Sequence, residues 1–169
     1  MQQAHLAGCR VTEEIFGIEI GEKAELVIVS SGGYPKDIQL YQAIKALDNA
    51  TYAVQEGGVI ILVSECSDGI GSQPFEEFFN HGEVEDMNAQ LHADFTMPGF
   101  VSLRTASICR KTPVILISSL PEEVVKRVKM IPAHSPTEAL QLARQIMGRQ
   151  PKSVYIMPHG GSTFPIINL

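Results

Sequence analysis

Apolar residues in this chain fall into two alternating patterns. In short runs nearly every position is apolar: Leu26–Ser30 (LVIVS), Val59–Ser64 (VIILVS), Val114–Ser118 (VILIS) and Val154–Met157 (VYIM). Such runs predict strands covered on both faces, as in a parallel sheet. A weaker fifth candidate, Val128–Ile131, precedes another helical pattern. Between the runs the apolar spacing changes to that of helices. Over Lys36–Val54, Leu40, Ala43, Ile44, Leu47 and Ala50 share one face, and Gly57-Gly58 is expected to close this helix before the next strand.

Further helices are predicted at Phe75–Phe79, Glu83–His92, Val101–Lys111, Glu122–Arg127 and Pro136–Met147, with a Met-Pro-Gly break ahead of Val101. Ser135 is the N-cap of the last one and Pro136 its first residue. Strands separated by helical crossovers predict a Rossmann-like three-layer α/β domain. Its mostly parallel sheet has four to five strands flanked by helices, and residues 1–169 form one domain. The opening segment, MQQAHLAGCRVTEE, is polar and helix-like without a start signal. It reads as a chain entered mid-element, so a larger protein is expected.

Charge narrows the function classes. A net charge of −6 and no run of Lys or Arg argue against nucleic acid as a partner. The absence of Trp and a low aromatic content remove a base-stacking platform. Cys9, Cys66 and Cys109 are odd in number and lack metal-ligand spacing, which suits a reducing cytoplasm. No apolar run approaches the roughly 20 residues needed to cross a bilayer. No signal peptide is recognisable at the N-terminus, so a cytoplasmic location is expected.

In an open parallel sheet, ligands bind beyond the C-terminal strand ends. Four segments leave strands there: SSGGYPKD, ECSDGIGSQP, SLPEE and PHGGSTFP. Gly32 and Gly33 in the first, and the glycines of the second and last, permit close approach of backbone N–H groups to an anion. The plain alternative is that strand-to-helix turns need glycine. Glu65 and His159 sit in these loops and are further site candidates. Cys66 with His159 or His92 could act as a thiol nucleophile and base, although a buried structural cysteine is commoner. Asp86, His92 and Asp94 could converge on folding, with a solvated loop as the simpler reading.

On the long helix Tyr41 and Lys45 are four apart, and Gln42 and Lys45 three apart. One turn thus presents a phenol, an amide and an ammonium, which can hold a carboxylate with an adjacent hydroxyl. A solvated flank with a Lys45–Asp48 surface pair is the competing reading.

SSGGYPKDIQLYQAIKALDNA followed by EGGVIILVSECSDGIGSQPFEEFF closely resembles the C-terminal domain of nickel-dependent lactate racemase and its relatives. The resemblance begins near AHLAGC and returns at PHGGSTFP. It implies racemisation or epimerisation of 2-hydroxy acids, with hydride removed from and returned to C2 by a nickel-pincer nucleotide. By the same resemblance an N-terminal domain absent from this chain anchors that cofactor and carries the metal ligand, acid and base. No cofactor is then expected on this chain alone, which should be inactive by itself. Tyr41, Gln42 and Lys45 match the cluster that contacts the substrate's carboxylate and hydroxyl. Some members place a tryptophan beside the site; this chain has none, so the particular 2-hydroxy acid stays open. A non-catalytic module binding a nucleotide or anionic metabolite through its glycine loops is the alternative.

Overall fold

The computed structural model describes residues 2–167. The chain opens with helix α1 (Gln2–Phe16) and strand β1 (Gly17–Ile20), then enters the main sheet at β2 (Ala24–Ser30). Helix α2 (Leu40–Ala53) crosses to β3 (Val54–Val63). Three helices follow, α3 (Gln73–Phe78), α4 (Val84–Ala93) and α5 (Met97–Lys111), and lead to β4 (Val114–Ile117). Short helix α6 (Glu122–Arg127) precedes β5 (Ile131–Ala133), and α7 (Pro136–Met147) precedes β6 (Val154–Met157). The chain returns through β7 (Phe164–Ile167) to pair with β1.

The main sheet has five parallel strands in the order β5-β4-β3-β2-β6. Alternation along the strands divides the core. Val27, Val29, Ile60 and Leu62 point to one face, where Leu40, Leu47 and Phe75 cover them. Leu26, Val59, Ile61 and Ile115 point to the other, against Ala139 and Ala143 of α7. A both-sided cover explains why these strands read as unbroken apolar runs. The strand order reverses at β2: the chain winds outward through β3, β4 and β5, then returns to β6 on the opposite side. A crevice for ligands forms beside such a reversal.

Several predicted boundaries move, each for a local reason. Helix α2 starts at Leu40 because residues 33–38 are taken up by turns and bends and Gln39 is extended. Gly57-Gly58 does not end it; the helix passes directly into β3 at Val54 and the glycines lie inside that strand. The pairing of β2 with β3 shifts register between Ala24 and Leu26. A side chain at Gly58 would meet the Glu25 carbonyl and Val54 at 2.7 Å, so the irregularity requires a bare backbone there. Met-Pro-Gly is the first turn of α5 and not a break: the Thr96 hydroxyl accepts from Gly99 N at 3.2 Å, and Pro98 fits the first turn. The fifth strand is Ile131–Ala133, because Lys129 turns with a φ of 65° and Val128 and Met130 bury into the core instead.

The β1–β7 ribbon has no counterpart in the sequence reading. Its register runs from Gly17↔Phe164 to Ile20↔Ile167, joining segments remote in sequence. Helix α1 buries no residue, and Leu6, Val11, Ile15, Phe16 and Ile18 stand exposed on it and the strand that follows. No helix among the described residues is long and apolar enough to cross a membrane.

Candidate functional site

The crevice edge is built by the loops leaving β2, β3 and β6. The loop after β2 turns through Gly32 and Gly33, at φ of 102° and 73°, conformations that favour glycine. Lys36 N then donates to Gly33 O at 2.8 Å and closes the turn.

The loop after β3 is fastened to the segment entering α2. Cys66 N donates to Asp37 O at 2.7 Å and Asp68 N to Ile38 O at 2.8 Å. In return, Leu40 N donates to Gly69 O at 3.2 Å and Tyr41 N to Ile70 O at 3.0 Å. The first N–H groups of α2 are therefore taken by carbonyls, while Gln42 N and Ala43 N bond to Gln39 O. This is what the Gly-Ile-Gly sequence accomplishes. Gly69 and Gly71 adopt φ of 77° and 81°, and any side chain at Gly71 would strike Gln39 at 2.7 Å. The loop is a backbone cap for α2 and leaves that helix start without free N–H groups for an anion, which counts against the glycine-loop nucleotide reading.

Capping in this way fixes the first turns of α2, where the predicted trio lies. Leu40, Ala43, Ile44 and Leu47 are buried, which turns Gln42 and Lys45 outward. Lys45 Nζ donates to Gln42 Oε1 at 2.8 Å. Tyr41 is half-buried, its ring held edge-on to Phe75 with centroids 5.5 Å apart. Among the described residues its hydroxyl has no hydrogen-bond partner. The Lys45–Asp48 pair of the competing reading does not form: Asp48 accepts from Arg104 Nε of α5 at 2.7 Å, and Lys45 has no carboxylate partner among the described residues.

The Gln42–Lys45 bridge stands between two depressions. One, of about 280 Å³, is lined by Tyr41, Gln42, Lys45, Phe100, Arg104 and the Asp48 that Arg104 pairs. The other, of about 390 Å³, is lined by Ser31, Pro35, Lys36, Gln42, Lys45 and Gly161. Phe100, Arg104, Ser31 and Lys36 were not candidates from the sequence. Phe100 and Arg104 come from a helix whose apolar spacing carries no mark of a site, and only packing of α5 on α2 delivers them.

The remaining candidates separate. A methyl group on Gly32 would stand 3.4 Å from His159 Nδ1 and 3.6 Å from Lys36 Cδ, so Gly32 and His159 do meet at this edge. Gly33 faces open space. Glu65 lines neither depression; its carbonyl accepts from Ser119 N and Oγ at 2.8 and 2.7 Å. Cys66 is buried with a φ of 57°, and its thiol faces Ser64 Oγ at 3.5 Å, not a histidine. Burial pushes that thiol's pKa upward, the opposite of an activated nucleophile. Asp86 and His92 lie on α4 and Asp94 ends it. Among the described residues no group of three or more His, Cys, Asp or Glu side chains is placed to hold a metal ion.

Fold and site together define a class: a doubly wound α/β domain with a cationic, amide-bearing and phenolic cluster beside its strand-order reversal. The family described as the lactate racemase C-terminal domain matches residues 20–164, and the chain belongs to it. Similar curated proteins are a lactate racemase of Thermoanaerobacterium thermosaccharolyticum, 35% identical over 95% of this chain, and one of Lactiplantibacillus plantarum, 29% identical over 95%. The chain spans 39% of the length of each. Among solved structures, the lactate racemase apoprotein of T. thermosaccharolyticum matches at a TM-score of 0.85 and 33% identity, over 96% of this chain and 40% of that one. A Thermotoga maritima protein shares the fold at a TM-score of 0.65 and 16% identity, over 99% of this chain and 42% of that one.

Proposed function

We propose that this chain is the substrate-orienting domain of a nickel-pincer-nucleotide-dependent 2-hydroxyacid racemase or epimerase. The observation that carries this reading is the Lys45–Gln42 bridge at 2.8 Å, with Tyr41 lining the same depression. Lys45 has no carboxylate partner among the described residues, so its ammonium is available to a substrate carboxylate. The Gln42 amide, once released from Lys45, and the Tyr41 hydroxyl offer the remaining hydrogen bonds to the carboxylate and the 2-hydroxyl. Three groups on one capped helix would hold a 2-hydroxy acid in a fixed pose.

This donor set suits a carboxylate and does not fit a nickel ion, since it offers no cluster of imidazole, thiolate or carboxylate ligands. The nucleotide is accordingly assigned to the rest of a longer protein, where it supplies hydride acceptance and return at C2. The relatives' greater length supports such a second domain. So does α1, which buries no residue and leaves Leu6, Val11, Ile15 and Phe16 exposed. On this reading the chain by itself binds 2-hydroxy acids without racemising them.

Titration of the chain with isotopically labelled lactate, followed by NMR, tests the assignment. Saturable binding is expected, weakened about tenfold or more by Lys45→Ala, the loss of one charge-assisted hydrogen bond. Binding indifferent to Lys45→Ala overturns the site. Racemisation of any 2-hydroxy acid by the isolated chain overturns the division of labour.

A further inference from the structure

The depression on the far side of the Gln42–Lys45 bridge lies between the loops of β2 and β6, at the reversal of strand order. Two cations line it, Lys36 and Lys45, and neither has a carboxylate partner among the described residues. Arg104, Arg110, Lys126, Arg127, Lys129 and Arg149 each pair with an acid, whereas these two lysines line one cavity without one. Like charges facing one cavity repel unless an anion sits between them.

A second, independent observation comes from Ser31. This residue lines the same depression, is 4% exposed, and its hydroxyl has no hydrogen-bond partner. A buried hydroxyl left unpaired is costly, and a turn of the Ser31 side chain toward the depression would let a ligand oxygen satisfy it. Gly161 completes the wall, held in place through the neighbouring carbonyl of Gly160, which accepts from Asn49 Nδ2 at 2.7 Å. The buried carboxylate oxygen of Asp37 that also lacks a partner belongs to a residue that does not line the cavity.

We propose that Ser31, Lys36 and Gly161 form, with the shared Lys45, a second oxyanion pocket that takes a distal carboxylate or phosphate group of a bound ligand. The inference rests on the assignment of Tyr41, Gln42 and Lys45 to the 2-hydroxycarboxylate end. A ligand straddling the bridge then places one anionic group in each depression, and the site prefers dianions.

Calorimetric titration of the full chain with malate, inorganic phosphate and lactate tests this, repeated for Lys36→Ala, Ser31→Ala and Lys45→Ala. Malate or phosphate is expected to bind at least about tenfold tighter than lactate, one charge-assisted contact's worth. Lys36→Ala removes that advantage and leaves lactate binding unchanged, and Ser31→Ala reduces it. Lys36 is exposed, so its variant keeps the fold, which a thermal melt verifies. Dependence on Lys36 for malate alone assigns the pocket to a substrate carboxylate; dependence for phosphate alone assigns it to a phosphate group. Equal affinities for all three anions, no binding of either dianion, or dianion binding untouched by Lys36→Ala overturns the pocket. Lactate binding untouched by Lys45→Ala overturns the proposed function instead, so the two failures are distinct.

Discussion

Asn49, on the third turn of α2, donates from Nδ2 to the carbonyl of Gly160 at 2.7 Å, across 111 positions of sequence. The bond ties the helix that carries Tyr41, Gln42 and Lys45 to the loop that carries His159 and Gly161. Gly160 itself has no room for a side chain: a methyl group would lie 2.2 Å from Val29 Cγ2 and 2.9 Å from Ala46 Cβ. The two elements meet backbone to helix, and the depression containing Ser31 and Lys36 is shaped by that contact.

Loss of this tie should be felt both in stability and in the loop. Asn49→Ala is expected to cost about 1–3 kcal/mol, since the buried Gly160 carbonyl keeps only the long 3.5 Å bond from Thr163 N. Urea unfolding gives the magnitude, and faster amide exchange at Gly161 and Ser162 locates the effect. A variant as stable as the parent, with unchanged exchange, contradicts the role.

The core beneath α2 predicts a larger effect. Leu47 is fully buried between the helix and the sheet. Leu47→Ala should destabilise by about 2–5 kcal/mol, from lost apolar burial plus the cavity left behind. Chemical denaturation measures it; a loss below about 1 kcal/mol would mean that the core collapses into the space.

Acid should weaken the fold through Glu25. This nearly buried carboxylate accepts from both terminal nitrogens of Arg149, at 2.7 and 2.6 Å, and from Lys152 N at 2.6 Å. The Arg149 hydrogen bonds, followed by that of Lys152, hold its pKa down at about 2, against an ordinary 4.5. A lowered folded-state value means that the stabilisation is complete above pH 4.5 and is lost as pH falls toward 2. The melting temperature is expected to drop through that window. Glu25→Gln should lower it at neutral pH and flatten the drop, and a parallel pH profile for the variant would refute the linkage.

Thiol reactivity should follow burial. Cys9 is exposed, Cys66 is buried with its pKa raised, and burial pushes Cys109 up to about 12. Iodoacetamide at pH 8 should modify Cys9 alone in the native chain, with Cys66 and Cys109 reacting only after denaturation. Peptide mapping by mass spectrometry reads the order. Rapid native alkylation of Cys66 would reopen the thiol-nucleophile reading.

The strands and most of the helices were legible because their apolar patterns are local records of burial. LVIVS, VIILVS and VILIS are apolar at almost every position since helices cover both faces of that sheet. The boundaries were less legible where glycine serves tertiary geometry. Gly57-Gly58 resembles a helix stop but relieves a clash between β2 and β3, and Met97-Pro98-Gly99 resembles a break but starts a helix under Thr96. The β1–β7 ribbon left no sign because each strand has only four residues and its partner lies at the far end of the chain.

The sequence by itself determined the parallel α/β plan and the Tyr41, Gln42 and Lys45 cluster, because helical periodicity alone brings residues three and four apart onto one turn. Tertiary structure decided what surrounds that cluster. Arg104 takes Asp48 and frees Lys45, the carbonyls of Gly69 and Ile70 close the start of α2, and Ser31 and Lys36 meet Gly161 across the sheet edge. Those relationships join segments distant in sequence, and no local pattern encodes which charge will find a partner and which will be left facing a cavity.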